Sequence, residues 1–290
     1  MIVGIWAKME SHNTIKELLD EAVCALGESG IERARLEAEI LLGFVLDYNR
    51  VELHCRYDEN VHPFYAESFW RLIKRRRLHE PIEYLVEKVS FYGEEFYISH
   101  GALIPRPETE ILIDKALEII TQKGCKNIVE IGVGSGAISI MLSFLKKDST
   151  LCLHASDISP EALFNAYVNK IKFNAKNLEL HHSSYLDFNT KLRLKFDVLI
   201  ANPPYIKNGE KLPKSLGFEP KKALYAGEVG DEMLLHIIDL AFLHKIPYAL
   251  CEMGYNQRES IKAHLEKIPH KSLEFYKDLA GLDRGFVISF

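Results

Sequence analysis

Ile128-Val129-Glu130-Ile131-Gly132-Val133-Gly134-Ser135-Gly136-Ala137 is a short apolar run that breaks into three glycines at alternate positions. Ile128 to Ile131 reads as a buried strand, and Ala137 to Leu145 as the helix that follows it. Glycines between a strand and a helix let the backbone turn tightly and let a ligand approach where a Cβ would block it. The helix N-terminus beyond them offers free amide groups to negative or polar ligand atoms. Taken alone the signal is weak. It also satisfies the G-x-G-x-x-A pattern of dinucleotide sites, and a turn with no ligand would read the same.

The flanking residues sharpen it. Leu151 to Ala155 reads as a second strand, and Asp157 lies at its end, 21 residues after Gly136. A carboxylate there can accept hydrogen bonds from both hydroxyls of a ribose. That serves a nicotinamide cofactor and S-adenosylmethionine equally. Glu130 discriminates between them. A carboxylate just before the glycines sits badly beside a pyrophosphate and suits a ligand carrying an ammonium and a sulfonium. The competing reading of Glu130 is a surface charge at a strand end. S-adenosylmethionine is the expected cofactor, and no metal is expected.

Further along, strand and helix alternate. Glu161 to Phe173 is a helix, with Ser159 as its N-cap and Pro160 at its first position. Leu178 to His181, Phe196 to Ala201 and Ile246 to Glu252 are strands, and Asp231 to His244 is a helix. This order predicts an α/β fold with a doubly wound, mostly parallel sheet. Leu273 to Lys277 and Gly285 to Phe290 read as two strands joined by a turn containing Gly281. An antiparallel hairpin closing such a sheet is a Rossmann-like methyltransferase feature, an expectation by analogy of fold.

Ala201-Asn202-Pro203-Pro204-Tyr205 follows one of these strands. Two prolines at a strand end force a rigid, extended loop and donate no backbone hydrogen bonds. The Asn202 side-chain carbonyl and the Pro203 backbone oxygen form a fork of two acceptors, which matches the two hydrogens of an NH2 group. Tyr205 offers a flat face to a planar group. An amide nitrogen is a poor nucleophile because its lone pair is delocalised. Holding both hydrogens aims that lone pair, and direct transfer then needs in-line placement at close approach. The competing reading is a loop breaker. The expected chemistry is methyl transfer to a planar amide- or aniline-like nitrogen, with no general base assigned.

The first part of the chain is helical in pattern. Ile15, Leu18, Leu19, Ala22, Val23 and Leu26 mark one helix face, capped by Asn13 or Thr14 and ended by Gly27 and Gly30. A second helix runs to about Val45, and a third from Pro63 to Leu78. The third ends on Lys74-Arg75-Arg76-Arg77, which suits a solvated helix C-terminus or a contact for an acidic partner. Val89 to Ile98 reads as a β-hairpin around Gly93-Glu94. The expected division is a helical domain over 1–85, a hairpin connector over 86–105 and a catalytic domain over 106–290.

The chain has 290 residues, enough for two domains, with 47% hydrophobic and 27% charged residues. Its net charge of -5 disfavours bulk electrostatic binding of nucleic acid. No run approaches the length of a membrane span, and the apolar start Met1 to Glu10 does not read as a signal peptide. Cys24, Cys55, Cys125, Cys152 and Cys251 are scattered and form no Cys-x-x-Cys pair. They read as buried small hydrophobes in a reducing compartment, so a cytoplasmic location is expected. His181-His182 reads as a strand end rather than a metal site.

Over nearly its whole length the chain resembles the HemK/PrmC family, the protein-(glutamine-N5) methyltransferases of peptide chain release factors. The resemblance includes Arg77-Leu-His-Glu-Pro81-Ile-Glu-Tyr84, Leu103-Ile-Pro-Arg106-Pro107-Glu108-Thr109-Glu110, Gly132 to Ala137, and Asp157-Ile-Ser-Pro160-Glu-Ala-Leu163. It continues through Asn202 to Tyr205, Glu219-Pro220 with Ala223-Leu224, and Asp278-Leu-Ala-Gly281-Leu-Asp283-Arg284. The Asn-Pro-Pro-Tyr motif is shared with DNA adenine methyltransferases, whereas the Ile104 to Glu110 run is far more specific. The family implies that Gly132, Val133, Gly134, Ser135, Gly136 and Asp157 bind S-adenosylmethionine. It implies that Asn202 contacts the cofactor region and, with Pro203, Pro204 and Tyr205, holds the glutamine amide. Tyr185 lies where an aromatic is common near the adenine. Arg106 and Glu108, on the loop entering the catalytic domain, either close the site or form a structural ion pair. The helical domain is associated in the family with the protein substrate. Glu130 departs from the usual aspartate, and Val133 from a small polar residue.

The resemblance implies methylation of the glutamine in the Gly-Gly-Gln loop of class-1 release factors; a monomer is expected, with no direct nucleic-acid contact and no membrane. A nucleic-acid adenine N6-methyltransferase would present the same NH2 geometry, with a flipped base stacked on Tyr205. A binding protein that has lost turnover is the third reading, against which Asn202 and the glycines are intact.

Overall fold

The computed structural model describes residues 13–148 and 150–290. The apolar start, Met1 to Glu10, lies outside them. The chain forms two compact units. One takes in the residues up to Glu87 together with Pro213–Phe218, and the other Lys88–Leu212 with Glu219–Phe290.

The smaller unit is helical: α1 (Ile15–Glu28), α2 (Ala34–Leu46), α3 (Arg50–Cys55), α4 (Pro63–Arg77) and α5 (Ile82–Val86). Thr14 caps α1 with a reciprocal box, its Oγ1 accepting from Glu17 N while Glu17 accepts from Thr14 N. The expected apolar face of α1 packs with Leu41, Leu42, Leu53, Phe69 and Ile73 into one core. The two short helices α3 and α5 have too few turns to show a period in the sequence. At the basic end of α4, Lys74, Arg75 and Arg77 are exposed, as a solvated helix C-terminus has them, and Arg76 is half-buried. Arg75 donates twice to Glu80, Arg76 pairs with Glu37 on α2, and Arg77 donates to Ser29 Oγ. These arginines tie α4 to its neighbours.

The larger unit begins with a hairpin, β1 (Lys88–Phe91) and β2 (Glu94–Tyr97). There follow α6 (Thr109–Lys123), β3 (Asn127–Ile131), α7 (Ala137–Lys146), β4 (Cys152–Asp157), α8 (Pro160–Lys172), β5 (Leu178–His182), α9 (Asn189–Leu192) and β6 (Val198–Ala201). After β7 (Ile206–Lys207) come α10 (Lys221–Leu224), β8 (Tyr225–Gly227), α11 (Glu232–Leu243), β9 (Tyr248–Glu252), α12 (Arg258–Leu265), β10 (Ser272–Lys277) and β11 (Asp283–Ser289).

Seven strands form one sheet in the order β10-β11-β9-β6-β3-β4-β5. β3, β4, β5, β6 and β9 pair in parallel, and β11 runs antiparallel to both β9 and β10. This is the class I methyltransferase arrangement, a doubly wound parallel sheet closed by an antiparallel hairpin. The central strands read as unbroken apolar runs because both faces are covered; every residue of β6 is buried. Gly285 in β11 has a packing reason: a Cβ there would lie 2.1 Å from the Tyr276 hydroxyl and 2.6 Å from the Cys251 carbonyl. No described helix is long and apolar enough to cross a membrane.

Candidate active site

The chain winds outward from β3 through β4 to β5 and then returns to the other side of β3 as β6. Strand order reverses there, and a crevice opens at the carboxyl ends of the two strands. Ile131 is level with Ala201, so the loops beginning at Gly132 and Asn202 leave the sheet side by side. A cavity of about 380 Å³ lies at this point, within the size range of small-ligand sites. Glu130, Gly132, Val133, Gly134, Ser135, Asp157, Tyr185, Asn202 and Pro204 line it. Gly136, Pro203 and Tyr205 lie outside that lining.

The glycines divide by role. Gly132 and Gly134 have positive φ, and a Cβ on either would meet nothing within 4 Å of protein. Gly136 also has positive φ, but a Cβ there would lie 2.7 Å from Ile140 Cδ1 and 3.3 Å from Ala166. The first two keep the cavity open; the third lets α7 approach α8. The loop's amides are largely committed to protein acceptors. Gly132 N and Val133 N donate to the Ser156 carbonyl, Gly136 N to the Val133 carbonyl, and Gly134 N to Asp157 Oδ2. The loop is therefore no open cradle for a pyrophosphate, which would need those donors.

Asp157 is held from two sides. Oδ2 accepts from Gly134 N at 3.0 Å and Oδ1 from Ser159 N at 2.9 Å. Each oxygen keeps a second lone pair for a ligand hydroxyl. Glu130, fully buried, accepts from Ser139 N at 3.0 Å and from Ser139 Oγ through the same oxygen. Its longer side chain thus folds back onto the first turn of α7. Burial raises its pKa to about 8, opposed by the Ser139 hydrogen bonds and reinforced by the nearby Asp157 charge. Tyr185 takes a positive φ of 44° and sets its ring edge-on to His236 at 4.6 Å. Its carbonyl accepts from Ser156 Oγ.

Asn202 Nδ2 donates to Thr109 Oγ1 at 3.1 Å, and Thr109 Oγ1 lies 2.7 Å from Glu252 Oε2. Glu252 is the last residue of β9, one position past Cys251, which is level with Ala201. Burial raises its pKa to about 7 despite the Thr109 hydrogen bond and the charge of Arg284. Tyr205 is in the same neighbourhood. Burial and the Glu252 charge raise its phenol pKa, which Arg284 and Arg106 oppose. Arg106 itself donates to the buried Glu219 at 2.5 Å, and Ile104 N donates to the other Glu219 oxygen. Arg106 also lines the cavity, so the ion pair is compatible with both readings of Arg106; Glu108 precedes α6 and makes no side-chain cap.

Thr109 and Glu219 lie within the quoted family motifs with no role assigned to them, and Glu252, Asn165 and Asn169 were not singled out by motif. Glu252 carried a legible signal, an acid closing the apolar run Ala249-Leu250-Cys251, as Glu130 closes Ile128-Val129. Asn165 and Asn169 carried none. Both are fully buried on α8. Asn169 donates to the carbonyls of Tyr97 and Ser135 and accepts from Tyr97 N, so it joins β2 to the glycine loop.

Residues 17–86 match the PrmC N-terminal domain, and residues 109–218 match the methyltransferase small domain. The chain is 32% identical to the release factor glutamine methyltransferase of Clostridium acetobutylicum, covering 93% of this chain and 96% of that one. It is 34% identical to that of Moorella thermoacetica, over 94% of this chain and 98% of the relative. The structure resembles the human methyltransferase 10 domain containing protein, with a TM-score of 0.51 and 15% identity over 69% of this chain and 89% of that one. It also resembles the hMettl16 catalytic domain in complex with a MAT2A 3'UTR hairpin, with a TM-score of 0.55 and 16% identity over 67% and 75%. At that identity the two structures speak for the fold alone. Near full-length relatives above 30% identity, with both family domains in order, place this chain in the release factor glutamine methyltransferase family.

Proposed function

We propose that this protein methylates the side-chain nitrogen (N5) of the glutamine in the Gly-Gly-Gln loop of class-1 peptide chain release factors, with S-adenosylmethionine as donor. When bound, that cofactor supplies a sulfonium methyl group open to direct attack. The residues fit it. Gly132 and Gly134 leave the space a Cβ would fill. Glu130 and Asp157, two carboxylates, flank a loop whose amides already have acceptors. That pattern suits a cationic ligand with a ribose better than a pyrophosphate. Asp157 takes the ribose hydroxyls, Glu130 faces the ammonium, and Tyr185 borders the adenine.

The observation that carries the acceptor reading is the Asn202 carboxamide. Its NH2 is engaged by Thr109, so its Oδ1 remains as an acceptor at the cavity wall. Asn202 Oδ1 and the Pro203 carbonyl take the two hydrogens of the glutamine amide and aim its lone pair at the methyl group. Pro203 and Pro204 keep this fork rigid. Tyr205 completes the motif within range of the Glu252 and Arg284 charges. The helical unit is assigned to the protein substrate.

The test offers purified protein and labelled S-adenosylmethionine to three acceptors in parallel: an unmethylated release factor, duplex DNA and an RNA hairpin. Label on the release factor, reduced about 10²-fold or more in Asn202→Ala, is the expected result; loss of one positioned transition-state contact has that order of effect. Label on a nucleic acid instead would move the protein to the adenine-methylating class.

A further inference from the structure

The orientation of Asn202 is a chemical problem as well as a geometric one. The oxygen and nitrogen of a carboxamide are nearly equal in size, so packing cannot tell one flip from the other. Only one flip works. With oxygen outward, the site accepts from a substrate NH2; with nitrogen outward, donor would face donor.

Thr109 and Glu252 remove the ambiguity. Burial raises the Glu252 pKa to about 7; above that pH its carboxylate is ionised and has no hydrogen to give, so in the 2.7 Å contact the Thr109 hydroxyl is the donor and Glu252 Oε2 the acceptor. The hydroxyl has one hydrogen. Toward Asn202 it can offer only a lone pair, and only the NH2 end of Asn202 satisfies it at 3.1 Å. Thr109 and Glu252 are 4% and 1% exposed, so their contact is shielded from bulk water, although Thr109 borders the cavity. The two residues come from separate elements: the sheet register brings the end of β9 level with Asn202, and the start of α6 reaches it through the Thr109 hydroxyl. We propose that Glu252 and Thr109 form a positioning relay that fixes the flip of Asn202, so that its oxygen faces the amide to be methylated. The inference rests on the reading of Asn202 as the amide clamp given above.

Neither residue touches the reacting atoms, so both are positioning residues, and the relay acts only through Asn202. Thr109→Val keeps the shape and removes the hydroxyl. Glu252→Gln keeps the size and introduces a donor, which lets the hydroxyl point its hydrogen at Asn202 instead. Thr109→Ser keeps the hydroxyl and serves as the conservative rescue.

The experiment measures kcat and KM for the release factor in these variants, alone and combined with Asn202→Ala, beside cofactor affinity by calorimetry. Thr109→Val and Glu252→Gln are expected to lower kcat at least tenfold, with cofactor affinity within about threefold of wild type. Thr109→Ser is expected to stay near wild type. In the Asn202→Ala background neither substitution should lower kcat further, since residues acting as a unit are strongly non-additive. An equal further loss in that background would overturn the relay and leave only a packing role. A readout independent of the acceptor is the exchange of the Asn202 side-chain NH2 with solvent, slow in wild type and accelerated in Thr109→Val. Unchanged exchange would also overturn the relay. A wild-type protein that shows the slow NH2 but methylates no release factor would keep the relay and sink the function.

Discussion

Three carboxylates at strand ends look alike in the sequence and differ in the structure. Asp157 is half-buried and held by two backbone amides, whereas Glu130 and Glu252 are buried with pKa values raised to about 8 and about 7. Each of the last two implies a pH dependence. A bound ammonium beside Glu130 favours its ionised form, so the complex holds fewer protons than the free protein below pH 8. Cofactor affinity should therefore rise from pH 6 to about pH 8 and level off above it. Calorimetry in buffers of different ionisation enthalpy should show protons released on binding. Affinity that is flat over this range would place Glu130 away from the ammonium. For Glu252, protonation removes the requirement that Thr109 donate to it. Thr109, Arg106, Glu108, Arg284, Tyr205 and Tyr276 are the groups that bear on it. kcat should rise with pH through about 7, and this limb should vanish in Glu252→Gln. The sign for stability is opposite. A buried acid with a raised pKa binds protons more tightly folded than unfolded, so stability falls as pH rises from about 4.5 to about 7.

At the scale of elements, the mostly parallel sheet with its closing hairpin, the glycine turn and the loop after Ala201 could be read from the sequence because strong local rules govern them. Apolar runs mark strands, alternate glycines mark the turn, and Ser159-Pro160 marks a helix start that the structure shows with Ser159 Oγ accepting from Ala162 N. What could not be read depends on residues distant in sequence. Thr109 meets Glu252 across 143 positions, and Asn169 meets Tyr97 across 72. His154, Glu179 and His181 likewise bring their ligand atoms within 4.8 Å only because β4 and β5 pair, so the spacing of histidines shows nothing there. The α8 asparagines give a direct test of these long-range links. Asn169→Ala leaves the Tyr97 amide and two carbonyls without partners and should destabilise the protein by about 2–4 kcal/mol in urea denaturation. Gly136→Ala, at positive φ and against Ile140, should cost about 1–3 kcal/mol. A cost near zero for either would mean that α8 does not brace the glycine loop.

At the scale of the molecule, every residue lining the cavity belongs to the larger unit, and the helical unit has its own core. Cofactor binding should therefore slow amide hydrogen exchange around Gly132–Gly136, Asp157 and Asn202 and leave α1 to α4 unchanged. Protection spread equally over both units would contradict that division. The chemistry turns on which nitrogen receives the methyl group. The most direct test is tandem mass spectrometry of an unmethylated class-1 release factor after incubation with the protein and S-adenosylmethionine. One added methyl on the side-chain nitrogen of the Gly-Gly-Gln glutamine, absent with Asn202→Ala, is the predicted result. A methyl on another residue, or on that glutamine undiminished in Asn202→Ala, would contradict the amide clamp.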